Sequence, residues 1–135
     1  MIYLDTNVII SYIDELDPNH DKAVELLSRI KGDRIVSRLT LVELTSVYSR
    51  ANLPNPPALS LYSIRRVNAE IAEADFNNVL QTSLRLAELV RLRTLDLLHV
   101  AICKVVGAKT FATFDREIIS KSNLIEKIGI KVISK

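Results

Sequence analysis

Short apolar runs alternate with longer segments of helical periodicity along this chain. That alternation predicts an α/β fold in which a central, mostly parallel sheet is covered by helices on both faces, a three-layer α/β/α sandwich. Size and composition agree. With 135 residues and 15.2 kDa the chain can bury one sizeable core but not two, so residues 1–135 are expected to form a single domain. Hydrophobic residues make up 48% and charged residues 25%, values of an ordinary globular protein. Trp is absent and aromatics reach only 5%, so the core must come from Leu, Ile, Val and Ala. Platforms for stacking bases are scarce, which weighs against an aromatic single-strand binder.

The first strand is "MIYL"; Asp5 and Thr6 then offer capping side chains ahead of "NVIISYI", so a strand feeds a helix. "PNHDKAVELLSRIKG" places Ala23, Leu26, Leu27 and Ile30 at helical spacing, with Pro18 near its start and Gly32 as its stop. "RIVS" reads as a brief strand, and "RLTLVELTSVYSRA" as a helix with Leu41, Leu44, Thr45 and Tyr48 on one face. "NLPNPP" is the one proline cluster and reads as a loop between helices, too short to link domains. "ALSLYSIRRV" is a helix, and "NAEIAEAD" fits a short strand ending at Asp75 better than a helical continuation. Next comes the amphipathic helix "NNVLQTSLRLAELVRL", and a further helix is expected from Asp96 through "DLLHVAICKVVG" to Gly107. "KTFATF" is a strand, "DREIISKS" a short helix and "IKVIS" a last strand.

Several classes of protein are disfavoured. The single cysteine, Cys103, cannot form an intramolecular disulfide and lies in an apolar stretch, as a buried small hydrophobe would in a reducing compartment. No basic region precedes the apolar N-terminal residues and Asp5 interrupts them, so a signal peptide is not expected. The longest apolar segment is too short for a bilayer and contains His99 and Lys104, so no membrane partner is expected and a cytoplasmic location is. A net charge of +2 permits a nucleic-acid partner without indicating one.

Ligands of parallel α/β sheets bind beyond the carboxyl ends of the strands, so the acids there carry the chemistry. Asp5 and Asp115 both follow strand-like runs, and Asp96 sits at a helix start. Each taken alone is adequately explained as a helix cap or as an acid meeting the positive end of a helix dipole. Glu43, inside the helix "LTLVELTSVY", has no capping role, and alone it reads as an exposed helix position. What the separate explanations do not predict is the convergence of all four at one edge. Clustered carboxylates repel, raising some pKa values unless a cation intervenes. All-oxygen ligands without a Cys cluster suit Mg²⁺ or Mn²⁺ rather than zinc.

"YLDTNVII", "LTLVEL", "LRTLDLLHVA" and "FATFDREI", in that order, resemble the PIN-domain ribonucleases, and the small single-domain form is similar to the VapC-type toxins of toxin–antitoxin pairs. The resemblance implies a PIN-like fold. It also implies that Asp5, Glu43, Asp96 and Asp115 are catalytic and hold Mg²⁺ or Mn²⁺, so that water of lowered pKa cleaves an RNA phosphodiester. The implied partners are an RNA substrate, a VapB-like antitoxin peptide and a second copy of the chain. Thr6, Asn7 and Thr113 match polar positions that support the carboxylates or a metal-bound water, although local backbone capping explains Thr6 and Asn7 equally well.

His99 shares a helical face with Asp96 and invites a role as general acid, but a packed or hydrogen-bonded histidine is the simpler reading, since metal can do the proton chemistry. His20 is expected to be solvated. Ser37 stands where it either caps the Glu43 helix or touches substrate. Among the cations Arg65, Arg66, Arg85, Arg91, Arg93, Lys104 and Lys109, Arg93 is the best candidate for binding RNA. The competing reading is a PIN-like scaffold that binds RNA or protein without cutting. An aspartyl phosphotransferase is disfavoured, because it would want an aspartate where Asn7 stands.

Overall fold

A computed structural model describes residues 1–135. Five strands, β1 (Ile2–Leu4), β2 (Arg34–Val36), β3 (Ala69–Ile71), β4 (Thr110–Ala112) and β5 (Lys131–Ile133), form one sheet in the order β3-β2-β1-β4-β5. Every pairing is parallel, with Tyr3 opposite Ile35 on one side and Phe111 on the other. The connections supply α1 (Thr6–Ile13), α2 (His20–Arg29), α3 (Arg38–Arg50), α4 (Pro56–Arg66), α5 (Phe76–Val90), α6 (Thr94–Val105), α7 (Arg116–Ser120) and α8 (Ser122–Lys127).

Strand alternation sorts the core into two layers. Tyr3, Ile35 and Phe111 pack with residues of α5, α6, α7 and α8, and Tyr3 stacks on Phe111 with centroids 5.5 Å apart. Leu4, Val36 and Ala112 turn to the opposite face and pack with residues of α1, α2, α3 and α4. The expected three-layer α/β/α sandwich is therefore present. Cys103 is fully buried, and burial pushes its thiol up to about 12, so it behaves as a small hydrophobe. No helix is long and apolar enough to cross a membrane.

Several boundaries differ from the sequence reading. Pro56 and Pro57 do not belong to the loop but open α4, because a first-turn proline lacks only a donor that would go unpaired anyway. Asn55 before them takes the left-handed conformation. The α2 helix stops at Arg29 with an extended Ile30, and Gly32 is not its stop, whereas Gly107 does turn left-handed (φ +80°) after α6. The β4 strand ends at Ala112, so Thr113 and Phe114 are connection rather than strand. The short helix read over residues 115–122 closes at Ser120, and α8 follows from Ser122 to Lys127, where the sequence reading assigns no element to residues 123–127.

Arg34 at the start of β2 holds two helix ends, donating to the carbonyl of Leu27 in α2 and, at 2.9 Å, to that of Val67 at the end of α4. Those terminal carbonyls have no intrahelical partner. Arg34→Ala is expected to cost about 1.5–3 kcal/mol, the usual worth of hydrogen bonds from a charged donor. Urea denaturation would show it as a lower midpoint at an unchanged slope.

Candidate metal centre

The sheet is built outward from β1 in both directions, to β2 and β3 on one side and to β4 and β5 on the other. The seam between β1 and β4 is the switch point where such sheets open a crevice. Asp5 ends β1, and its N–H bonds the carbonyl of Ala112 across the seam at 2.9 Å. The connection leaving β4 brings Thr113 and Asp115 to the same edge. The α3 helix, entered from β2, carries Glu43, and the first turn of α6 carries Asp96.

Asp5 and Asp115 are helix caps as well as members of this cluster. Asp5 Oδ1 accepts from the N–H of Thr6 at 2.9 Å, while its Oδ2 accepts from the Thr113 hydroxyl at 2.7 Å and from the Asn7 amide at 3.3 Å. Asp115 uses only Oδ1 for capping, accepting from the N–H groups of Glu117 and Ile118, and leaves Oδ2 free. Asp96 is not a cap. The α6 helix starts at Thr94, with Arg93 in the capping position, which puts Asp96 inside the first turn near the positive end of the dipole.

Thr113 is fully buried and uses its whole hydrogen-bonding capacity. Its hydroxyl donates to Asp5 and accepts from the N–H of Asp115 at 2.9 Å and from the Asn7 amide at 3.3 Å. Asn7 also accepts from the N–H of Phe114 at 3.1 Å, so it ties the start of α1 to the β4–α7 connection. Thr6 reaches the other way, its hydroxyl donating to Glu43 Oε1 at 2.8 Å. These three polar residues thus fix the relative positions of Asp5, Asp115 and Glu43.

A buried chain of side chains lies behind Glu43. His99, 1% exposed on α6, donates from Nε2 to Glu43 Oε1, and its Nδ1 bonds the hydroxyl of Tyr3 at 2.7 Å. Tyr3 in turn bonds the Ser37 hydroxyl at 2.7 Å. Ser37 also caps α3, in a capping box with Thr40. Thr6 and His99 both occupy Oε1 of Glu43, so the carboxylate is held in one rotamer with Oε2 unclaimed. Sequence reasoning passed over Tyr3, which in "MIYL" looks like any apolar strand residue. The signal that could have found it is a hydroxyl-bearing residue in a strand otherwise destined for full burial, since such a group needs a partner.

The electrostatics are those of crowded acids. Burial first, with the charge of Glu43 assisting, holds Asp5 above the ordinary carboxylate range, although His99, Thr113 and the N–H of Thr6 pull the other way. Asp96 is pushed up to about 6, by partial burial first and then by the charges of Asp5 and Asp115, with Glu43 adding a smaller push. Burial would raise Glu43 too, but the hydrogen bond and charge of His99 and the bond from Thr6 outweigh it, so Glu43 lies below its usual value.

The donor set fits a divalent cation. Asp5, Glu43 and His99 each place a potential ligand atom within 4.8 Å of the others. His99 has no lone pair to spare while Glu43 and Tyr3 hold its two nitrogens. That leaves carboxylate oxygens, hard donors of the kind that bind hard divalent cations, and an ion among them would relieve their repulsion.

Other expected positions lie outside this cluster. Arg93 is exposed and paired with Glu117 at 3.5 Å. His20 is not simply solvated, since it is partly buried and its Nδ1 meets the carbonyl of Ser11 at 3.0 Å.

Fold and site together define an α/β protein with a carboxylate cluster at its switch point that could hold a divalent cation. The chain belongs to the PIN domain family, whose profile matches residues 2–124. No curated protein matches it in sequence. Among solved structures it is similar to VapC20 of Mycobacterium tuberculosis, described as a sarcin-ricin loop cleaving toxin, at 15% identity and a TM-score of 0.71 over 89% of this chain and 94% of that one. It is also similar to a toxin–antitoxin complex from Klebsiella pneumoniae, at 15% identity and TM-score 0.64 over 85% and 87% of the two chains. DNA-bound VapBC from Salmonella typhimurium matches at 22% identity and TM-score 0.59 over 98% and 96%. At these identities the likeness establishes a shared fold.

The raised pKa of Asp96 makes a signed prediction. Between its unfolded value near 3.8 and its folded value of about 6 the native state binds more protons than the unfolded one. Metal-free protein should therefore gain stability as pH falls from 7 to 5, and Asp96→Asn should raise the melting temperature at pH 7 in chelator while removing most of that pH dependence. Differential scanning fluorimetry checks both. Thr113→Val keeps the shape but strips Asp5 of a donor and leaves the N–H of Asp115 unpaired, so it should destabilise by about 1–3 kcal/mol, measured by the same method.

Proposed function

We propose that this PIN domain is a metal-dependent endoribonuclease and the toxin of a toxin–antitoxin pair. The observation that carries the reading is the gathering of Asp5, Glu43, Asp96 and Asp115 at one sheet edge, close enough that the charges of the other three add to burial in raising Asp96. Mg²⁺ or Mn²⁺ held there would neutralise charge on a phosphate and lower the pKa of water, which is the chemistry of phosphodiester hydrolysis without a protein nucleophile. The chain's own residues orient and hold. Thr6 and His99 fix Glu43 with Oε2 presented, Thr113 and Asn7 fix Asp5 and the connection to Asp115, and Asp96 completes the acidic wall from α6.

RNA as substrate is supported by the neighbour described as cleaving the sarcin-ricin loop, and an antitoxin partner by the neighbours solved as toxin–antitoxin and VapBC complexes. An apolar cavity of about 310 Å³ between α3 and α5, with Val42 and Phe76 exposed on it, offers a peptide partner something to cover. Leu80 and Leu84, one turn apart on the outer face of α5, are exposed in the way a homodimer contact would be. An RNA-cleaving toxin of this kind works in the cytoplasm.

End-labelled structured RNA incubated with the purified protein is expected to be cut with Mn²⁺ or Mg²⁺, and not in chelator. Asp96→Asn should lower the rate roughly 10²-fold or more, the scale on which removing one transition-state electrostatic group acts. A folded protein that binds Mn²⁺ but cuts none of several structured RNAs would point to narrow target selection, whereas one that binds no metal would favour the scaffold reading.

A further inference from the structure

Four carboxylates at one edge repel a polyanion, so a nuclease built around them needs cations nearby to hold its substrate. Most cations around this edge are already engaged. Arg38 pairs with Glu73, Arg93 with Glu117, and Lys121 with Glu117 and with the carbonyl of Arg91. Lys22 and Arg116 are exceptions: neither enters an ion pair or a side-chain hydrogen bond, and both line the same cavity of about 440 Å³. Arg29, also in its wall, is neutralised by Glu25, so the surplus positive charge of the cavity rests on Lys22 and Arg116.

The cavity's position matters as much as its charge. It lies between α2, the β4–α7 connection and the residues following β5, on the same carboxyl edge of the sheet as the acids and on the β5 side of them. The four residues 113–116 divide between the two places. Thr113 and Asp115 turn to the carboxylate cluster, while Phe114 and Arg116 line the cavity. One short piece of backbone therefore separates a cation site from a basic hollow, and its anchoring by Asn7 and Thr113 makes that separation fixed.

We propose that this cavity is a phosphate subsite for the RNA strand beyond the cleaved bond. Arg116 presents a planar fork suited to a phosphate and Lys22 a point charge opposite it, while the half-buried ring of Phe114 gives the adjoining base or ribose an apolar floor. The inference rests on the ribonuclease reading and extends it to where the substrate lies. It also explains why a chain with a net charge of only +2 can hold RNA, since the useful charge is local.

The test is a titration of a fluorescein-labelled, single-stranded mixed-sequence RNA by anisotropy in Ca²⁺, over a series of salt concentrations. The proteins are wild type, Lys22→Ala/Arg116→Ala and the charge-keeping Lys22→Arg/Arg116→Lys. Both positions are on the surface, so melting temperature and Mn²⁺ affinity should match wild type in both variants. Each phosphate contact to a single strand contributes about 0.7 to the salt slope, so the alanine variant should lose about 1.4 from the slope and roughly tenfold in affinity at 0.1 M salt. The charge-keeping variant should retain the slope. An alanine variant that binds RNA like wild type overturns the subsite and leaves the ribonuclease reading standing. A wild type that binds no RNA and cuts none overturns both. If the alanine variant loses affinity for an oligoglutamate peptide but not for RNA, the cavity serves an acidic protein segment and the RNA assignment is wrong.

Discussion

The parallel pairing of β1 with β4 is the constraint on which the rest of the structure depends. It sets Leu4 opposite Ala112, and so brings Asp5, which follows one strand, and the Thr113–Asp115 connection, which follows the other, to the same opening. Those acids repel, and the fold accommodates the repulsion through donors rather than distance. Thr113, Asn7 and the first N–H of α1 bond Asp5, the N–H groups of α7 bond Asp115, and Thr6 and His99 bond Glu43. No buried polar side-chain atom is left without a partner. The protein can therefore fold around the cluster with these donors alone, and a cation bound there would add charge balance.

The helix caps show why structural and chemical readings of these residues need not compete. A carboxylate has two oxygens and about four acceptor positions. Asp115 spends one oxygen on the N–H groups opening α7 and keeps the other free, so the residue that terminates the connection is also aimed by it. Capping orients a side chain to within one rotamer, and a cation site needs that rigidity from ligands otherwise free to turn.

How far the sequence reveals this can be read residue by residue. The β1 and β4 strands and the helices from α1 to α6 are legible because short apolar runs and helical periodicity are local properties. Asp5 is legible as well, since a carboxylate inside an apolar run has few local justifications. Glu43 and Asp96 become legible only in company, because their importance lies in pairings between residues far apart in the chain. The Ser37–Tyr3–His99–Glu43 chain is of that kind throughout: β1, β2, α3 and α6 each contribute, and no local pattern marks the hydroxyl of Tyr3 as a link. Boundary errors have similar causes. Proline reads as a breaker in "NLPNPP", yet Pro56 and Pro57 begin a helix because the first turn does not use their missing donors. The α8 helix is too short for periodicity to register and owes its place to Ile125 in the core.

The unequal treatment of the acids carries a final consequence. Glu43 is held below the ordinary carboxylate range by His99 and Thr6, whereas Asp96 has no side-chain donor and faces three other acids, so burial and repulsion push it to about 6. Near neutral pH the two are both ionised, but for opposite reasons: Glu43 because its environment favours the charge, Asp96 in spite of an environment that opposes it. A cation entering the cluster gains most from the acid that is least compensated, so Asp96 would contribute the larger change in interaction energy on binding and Glu43 the smaller. The fold thus treats differently carboxylates that the sequence presents as equivalent, and for a cation bound there α3 would offer a pre-set ligand and α6 the unrelieved charge.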